Sequence, residues 1–159
     1  MRRREREITD LNYAADLIKE EQVLRLALSD DDGTYIVPVN YGYEIIDGSL
    51  SFCIHGALQG RKAEILKRAA ESGEEIPFEI DGRHAPLISD SCDATYYYMS
   101  IMGKVRVNIL DGEDKLHALN KLMDNVIPAE AYHFQEAVVS KTMVCRLAVT
   151  EWTCKENRI

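Results

Sequence analysis

The chain has 159 residues, 46% hydrophobic and 29% charged, with 27 acidic against 19 basic side chains for a net charge of −8. That length suits one domain with a real core. No apolar run is long enough to span a membrane, and an acidic surface repels nucleic-acid phosphate and anionic lipid.

Residues 1–159 are therefore read as a single soluble domain. The N-terminal cluster Arg2-Arg3-Arg4-Glu5-Arg6-Glu7 has no apolar segment behind it, so it is not a secretory signal, and a cytoplasmic location follows by default. Residues 1–7 and 156–159 read as a mobile arm and a fraying tail. The four cysteines, Cys53, Cys92, Cys145 and Cys154, form no C-x-x-C pair and no zinc spacing. Free, partly buried thiols are the simplest reading, with Cys92 in a polar loop as the exposed one.

In chain order, a helix is predicted over 8–21. Thr9 or Asp10 caps it, and Leu11, Ala14, Ala15 and Ile18 lie on one face. Residues 22–29 alternate, with Leu24, Leu26 and Leu28 on one side, as a strand does. Asp30-Asp31-Asp32-Gly33 reads as a turn, because it lacks the spacing and terminal glutamate of a calcium loop. A second strand follows over 34–46. Pro38 places it at a sheet edge or gives it an irregularity, and Asp47-Gly48 turns it back into a third strand.

The third strand starts at Ser51, breaks at Gly56 and gives way to a helix carrying Ala63, Ile65, Leu66 and Ala69, ended by Gly73. The junction, 56–62, holds Gly56, Gly60, Arg61 and Lys62. Unpaired backbone N–H groups and the positive end of a helix dipole suit an anion there, with Arg61 and Lys62 adding charge. An ordinary strand–loop–helix connection with two solvated basic side chains fits the same residues.

Beyond it come a strand over 76–81, a long loop over 82–93, and a strand over 95–110 with a bend or bulge at Gly103. A helix over 113–126 turns Leu116, Leu119, Leu122, Met123 and Val126 inward. A short helix then runs from Pro128 to Phe134, and a last strand covers 142–150. About six strands joined early by tight turns give an antiparallel barrel with helices attached. Among the histidines, His55 stands out at a strand end beside the junction, as a proton shuttle, a hydrogen-bond donor or a structural group. His117 and His133 read as surface groups on helices, and His84 carries no stronger signal. Most of the tyrosines read as core, with Tyr41 and Tyr98 kept as cleft residues.

The succession REITD, LAL, YIVPVNYGY, LSFCIHGALQGRKAEIL and YYYMSIMGKV resembles the Nim-type nitroimidazole-resistance proteins. These belong to the pyridoxamine 5′-phosphate oxidase-like, flavin-binding split-barrel superfamily. The resemblance covers residues 4–155. It implies a split β-barrel that forms a homodimer with FMN between the subunits. It places Pro38, Val39, Asn40 and Tyr41 beside the flavin ring, and His55, Gly56, Ala57, Gly60, Arg61 and Lys62 along the ribityl chain to the phosphate. Tyr98, Ser100 and Met102 would come from the partner subunit, with Trp152 approaching the site. Where relatives carry a hydroxyl residue after the histidine, this chain has Gly56.

The implied activity is reduction of a small acceptor, such as a nitroaromatic, with NAD(P)H as a transient electron donor and His55 as the catalytic candidate. No G-x-G-x-x-G fingerprint provides a separate nicotinamide domain. The resemblance also admits a non-enzymatic flavin- or haem-binding protein, with His55 as an iron ligand, and the fold alone admits a cofactor-free interaction module.

Overall fold

The computed structural model of the protein describes residues 3–88, 94–126 and 133–157. A short 3-10 turn, Arg4–Arg6, leads into β1 (Glu7–Ile8) and α1 (Leu11–Glu20). Then come β2 (Leu24–Asp30), β3 (Gly33–Val39), β4 (Gly42–Ile46), β5 (Ser49–Ala57) and α2 (Arg61–Ser72). The chain continues with β6 (Glu75–Ile88), β7 (Ala94–Ile109), α3 (Gly112–Val126), α4 (Glu136–Val139) and β8 (Thr142–Asn157). Every pairing is antiparallel, and the strand order is β3-β2-β6-β7-β8-β5-β4 with β1 on β8. The eight strands, with helices around them, form the expected split barrel.

The single strand expected over 34–46 is two strands at opposite edges of the sheet. β3 pairs with β2, β4 pairs with β5, and the chain crosses the split at Asn40-Tyr41. Tyr41 fills the crossing. It is fully buried, its ring meets Phe52 edge-on at 5.4 Å, and its hydroxyl shares one proton between the carbonyls of Ile18 at 2.6 Å and Glu21 at 3.0 Å. Pro38 sits on the edge strand, where its missing N–H leaves no interior ladder bond unmade.

Local chemistry accounts for most element ends. The Asp10 side chain accepts from the Asn12 N–H at 2.9 Å and starts α1, three residues later than expected, because Ile8 is drawn into a ladder with Cys154. Asp32 N–H donates to Asp30 at 3.0 Å in the β2–β3 turn. Asp47 (φ 51°) and Gly48 (φ 76°) make the left-handed pair that a two-residue hairpin requires.

The main core joins Leu24, Leu26 and Leu28 of β2 with Phe52, Ile54, Phe78, Ile80, Ile101 and Leu147, closed by Leu17 and Ile18 of α1 and Ala63, Leu66 and Ala69 of α2. A smaller cluster lies on the other side of β5 and β8, where Ala118, Leu119 and Leu122 of α3 pack on Cys53 and Val144. Leu116, expected inward, is 42% exposed.

Other expectations are corrected by long-range pairing. β5 runs through Gly56 to Ala57, because β8 continues to pair with it there. The stretch expected as a loop after residue 81 is largely strand. β6 extends to Ile88 along β7, interrupted by a bulge at Gly82–Ala85 where Arg83 adopts φ 56°. The expected irregularity near Gly103 is a register shift at Lys104/Val105 on β8. Fraying does not reach Glu156 and Asn157. β8 pairs with β7 to its last residue, and Glu156 is buried, held by Arg83 at 2.8 Å and by the Tyr13 hydroxyl at 2.8 Å. Arg83 also binds Glu20 at 2.7 Å, so one bulge residue clamps α1 to β8.

His133 and Phe134 precede α4 in non-helical backbone, while Pro128 and Cys92 lie outside the described residues. Cys53, Cys145 and Cys154 are free and buried, and burial pushes each thiol up to about 11. No helix among the described residues is long and apolar enough to cross a membrane.

Two substitutions test this packing. A Cβ on Gly42 would lie 2.5 Å from the Lys121 carbonyl group, in the backbone of α3, so Gly42→Ala should cost about 1–3 kcal/mol in a urea titration. Arg83→Met leaves the buried Glu156 carboxylate short of its cation and should cost about 3 kcal/mol by the same measurement. Stability equal to wild type in either variant would refute the corresponding account.

Candidate functional site

The end of β5 and the start of α2 form one corner. Gly60, at φ 102° and ψ 167°, occupies backbone space that side-chain-bearing residues avoid, and it turns the strand into the helix. With no side chain, it cannot cap the helix. The Gly60 carbonyl accepts from Glu64 N–H at 3.0 Å, so the N–H groups of Arg61, Lys62 and Ala63 have no partner within the helix. Lys67 stabilises the approach by donating to the Leu58 carbonyl at 2.9 Å, and Arg68 donates to the Ser29 carbonyl.

The two cations, expected to act together, have separate environments. The Arg61 guanidinium forms a two-point contact with Asp30, at 2.6 Å and 2.5 Å, donates to the Gly33 carbonyl at 3.0 Å, and lies 4.2 Å over the Tyr35 ring. The hydrogen bond from Arg61 holds the Asp30 carboxyl below its ordinary value. Arg61 therefore ties α2 to the β2–β3 hairpin. Lys62 makes no ion pair or hydrogen bond among the described residues, and its side chain reaches back over β5. A Cβ on Gly56 would fall 2.9 Å from its Nζ and 3.1 Å from its Cε.

His55 precedes Gly56 and lies on the opposite face of β5. It stands at the mouth of an apolar cavity of about 190 Å³, lined by Leu119, Leu122, Met123, Phe134, Val138, Val139 and Thr142. The imidazole is exposed at the surface but apolar on one side. Desolvation lowers its pKa, and the Lys62 charge lowers it further. It is therefore neutral at pH 7.

The remaining expected site residues divide into two groups. The pairing of Gly42 with Cys53 brings the 38–41 segment to the same end of the sheet as His55. There, however, Val39 and Tyr41 are buried in the core, and the Asn40 amide donates to the Gln22 carbonyl at 3.0 Å. Tyr41 is thus a packing residue and not a cleft side chain. Tyr98, Ser100 and Met102 share the outer face of β7, and Met102 is 50% exposed. Trp152 pairs with Gly103 and packs on the core from the opposite side of the ladder. An open depression of about 470 Å³ lies at this position, lined by Pro77, Met102, Lys104, Glu151 and Thr153 among others.

His117 and His84 are held by carboxylates, Glu44 at 2.6 Å and Asp81 at 2.8 Å. Sequence reasoning missed Asp30, Gly33 and Tyr35 as the holders of Arg61, and it missed the α3 and α4 side chains facing His55. The aspartates were visible only as a turn, since nothing local says what the turn packs against.

A sequence model of the pyridoxamine 5′-phosphate oxidase family matches residues 11–156. Similar solved structures include a candidate 5-nitroimidazole antibiotic resistance protein of Bacteroides thetaiotaomicron, at TM-score 0.80 and 23% identity over 94% of this chain and 86% of that one. The FAD- and haem-binding protein of Mycobacterium smegmatis aligns at TM-score 0.78 and 19% identity, over 97% of this chain and 74% of that one. The flavocytochrome Anf3 of Azotobacter vinelandii aligns at TM-score 0.76 and 17% identity, over 96% of this chain and 70% of that one. No curated protein matches by sequence. These structural likenesses carry the fold, and the family match covers nearly the whole chain: the protein belongs to the pyridoxamine 5′-phosphate oxidase family.

Proposed function

We propose that this chain binds FMN, with the phosphate at the N-terminus of α2, and serves as a reductase passing electrons from NAD(P)H to a small acceptor such as a nitroaromatic. The observation that carries this reading is the corner itself. A twelve-residue helix starts without a cap beside a lysine that no described carboxylate neutralises. Partial positive charge, free N–H donors and an ammonium together suit a phosphate dianion. The flavin- and haem-binding proteins among the structural neighbours support a flavin as the carrier of that phosphate.

Bound flavin would supply the electron-transfer chemistry. The chain's own contribution is positional. Arg61 fixes the helix start through Asp30, Lys62 meets the phosphate, and backbone groups of Pro38 to Asn40 border the ring. Neutral His55 offers one N–H donor and one acceptor to a reacting oxygen at the edge of an apolar cavity. Tyr98, Ser100 and Met102 lie on the outer face of β7, so in this reading they reach a flavin only across a homodimer. Residues 1–159 form one domain, and a cytoplasmic location, where NAD(P)H is available, belongs to the same proposal. A haem held by His55 is the competing reading. The cavity beside His55, about 190 Å³, is below the roughly 300 Å³ at which cofactor pockets begin.

The absorption spectrum of the purified protein is the first test. Flavin bands near the visible blue, or their appearance on FMN titration, support the proposal, and a Soret band lost in His55→Ala would replace it with the haem reading. Lys62→Met should weaken FMN binding by about 1.5–3 kcal/mol, the value of a hydrogen bond to a charged group, measured by fluorescence titration. His55→Gln should lower nitroaromatic turnover by about 10²-fold or more, with a smaller change in FMN affinity. Equal turnover in that variant would leave His55 as a cofactor contact only.

A further inference from the structure

Among the described residues two charged side chains are buried, and they are provided for differently. Glu156 is held by Arg83 and by the Tyr13 hydroxyl. Lys115, 9% exposed, makes no ion pair and no side-chain hydrogen bond among the described residues. It sits one turn into α3, on the stripe that carries Ala118, Leu119 and Leu122 onto the sheet, where the helical spacing calls for an apolar residue. A buried charge without a partner is costly, and a lysine lessens that cost by running its stem along apolar surface to an opening. We propose that Lys115 is the cation at the base of a second binding site, an open pocket between α3 and α4 that takes a zwitterionic α-amino acid with a large apolar side chain.

The pocket holds about 520 Å³, inside the roughly 300–1,000 Å³ of small-ligand sites. Leu116, Phe134 and Val139 give it an apolar wall, which accounts for the exposure of Leu116. The Lys115 ammonium is not sealed in the protein: among the described residues the Tyr97 hydroxyl is the only enclosed side-chain polar atom without a partner. The ammonium therefore reaches solvent, and this pocket is the opening that Lys115 lines. The site stands apart from the α2 corner and does not depend on the flavin reading. The charges at its rim choose the ligand. Asp111, Glu113 and Glu136 line the same pocket and form no ion pair among the described residues. Three carboxylates repel a simple anion, while Lys115 repels a simple amine. An α-amino acid satisfies both. Its carboxylate meets Lys115 at the start of α3, where the helix dipole also favours it, and its ammonium faces the rim acids. Its side chain covers Leu116, Phe134 and Val139.

The experiment titrates the purified chain with L-phenylalanine, with 3-phenylpropionate, which lacks the ammonium, and with phenethylamine, which lacks the carboxylate. NMR of the Leu116 and Val139 methyl groups locates the binding, and calorimetry measures it. L-Phenylalanine should shift both methyl signals saturably. Each of the other two compounds should bind about tenfold more weakly or worse, having lost one charge-assisted contact. Lys115→Met should weaken L-phenylalanine by about tenfold or more and leave the urea midpoint unchanged or raised, because an apolar side chain suits the buried stripe. Glu113→Gln with Glu136→Gln, both on the exposed rim, should weaken L-phenylalanine by about threefold and leave 3-phenylpropionate equal or tighter.

Absence of a saturable shift at either methyl would overturn the proposal. So would 3-phenylpropionate bound as tightly as L-phenylalanine, which leaves the rim acids without a role, or a folded Lys115→Met variant whose affinity stays within about twofold of wild type. Should Lys115→Met fail to fold, the double rim variant decides: an equal loss for L-phenylalanine and 3-phenylpropionate, or no loss for either, refutes the site.

Discussion

The architecture depends on a tyrosine in a gap. β3 and β4 are consecutive in the chain but lie at opposite ends of the sheet, so residues 40–41 must cross the opening between them. Such a crossing exposes backbone that no ladder can satisfy and leaves a hole at the rim of the core. Tyr41 fills the hole with its ring, against Phe52, and its hydroxyl engages carbonyls at the end of α1 and just beyond it. The hydroxyl is fully buried, and burial raises its pKa far above the ordinary range, so it remains a donor at any physiological pH. The split of the barrel and the docking of α1 are therefore one interaction seen from two sides.

Charge serves the fold at most of its conspicuous positions. Arg83, in left-handed backbone at a bulge, joins Glu20 of α1 to the buried Glu156 of β8. Arg25 spans Glu79 and Asp81 on β6, and Arg61 closes on Asp30 and Tyr35. Apart from the pair with the buried Glu156, pairs this exposed contribute little to stability one by one. Their consequence is geometric: Arg83 ties α1 to β8, Arg61 ties α2 to the β2–β3 hairpin, and Arg25 links the neighbouring strands β2 and β6. Against that background Lys62, with no ion pair or hydrogen bond among the described residues, stands out at a helix start that lacks a side-chain cap.

His55 and Gly56 show how one strand end can serve two chemistries. Successive residues of a strand face opposite ways. Gly56 meets the cationic side beneath α2, while His55 meets the apolar side built by α3 and α4. The neutrality of the imidazole at pH 7 follows from the same arrangement, with desolvation from one face and the lysine field from the other.

By itself the sequence determined the elements whose signals are local: the alternation of Leu24, Leu26 and Leu28, the Asp47-Gly48 hairpin, the helix between Gly60 and Gly73, and the edge position of Pro38. The ordered motifs from residue 4 to residue 155 were also enough to find the family. What only the tertiary structure decided depends on partners far away in the chain. Periodicity cannot show that a strand stops at Asn40 because Tyr41 is needed by α1. It also cannot show that 82–88 and 151–157 stay extended because β7 runs between them. Nor could the adjacent Arg61 and Lys62 be told apart, since consecutive residues at a helix start diverge by about 100° and each finds whatever the fold puts there. For Arg61 that was an aspartate from a turn 31 residues earlier, and for Lys62 the open space above a glycine.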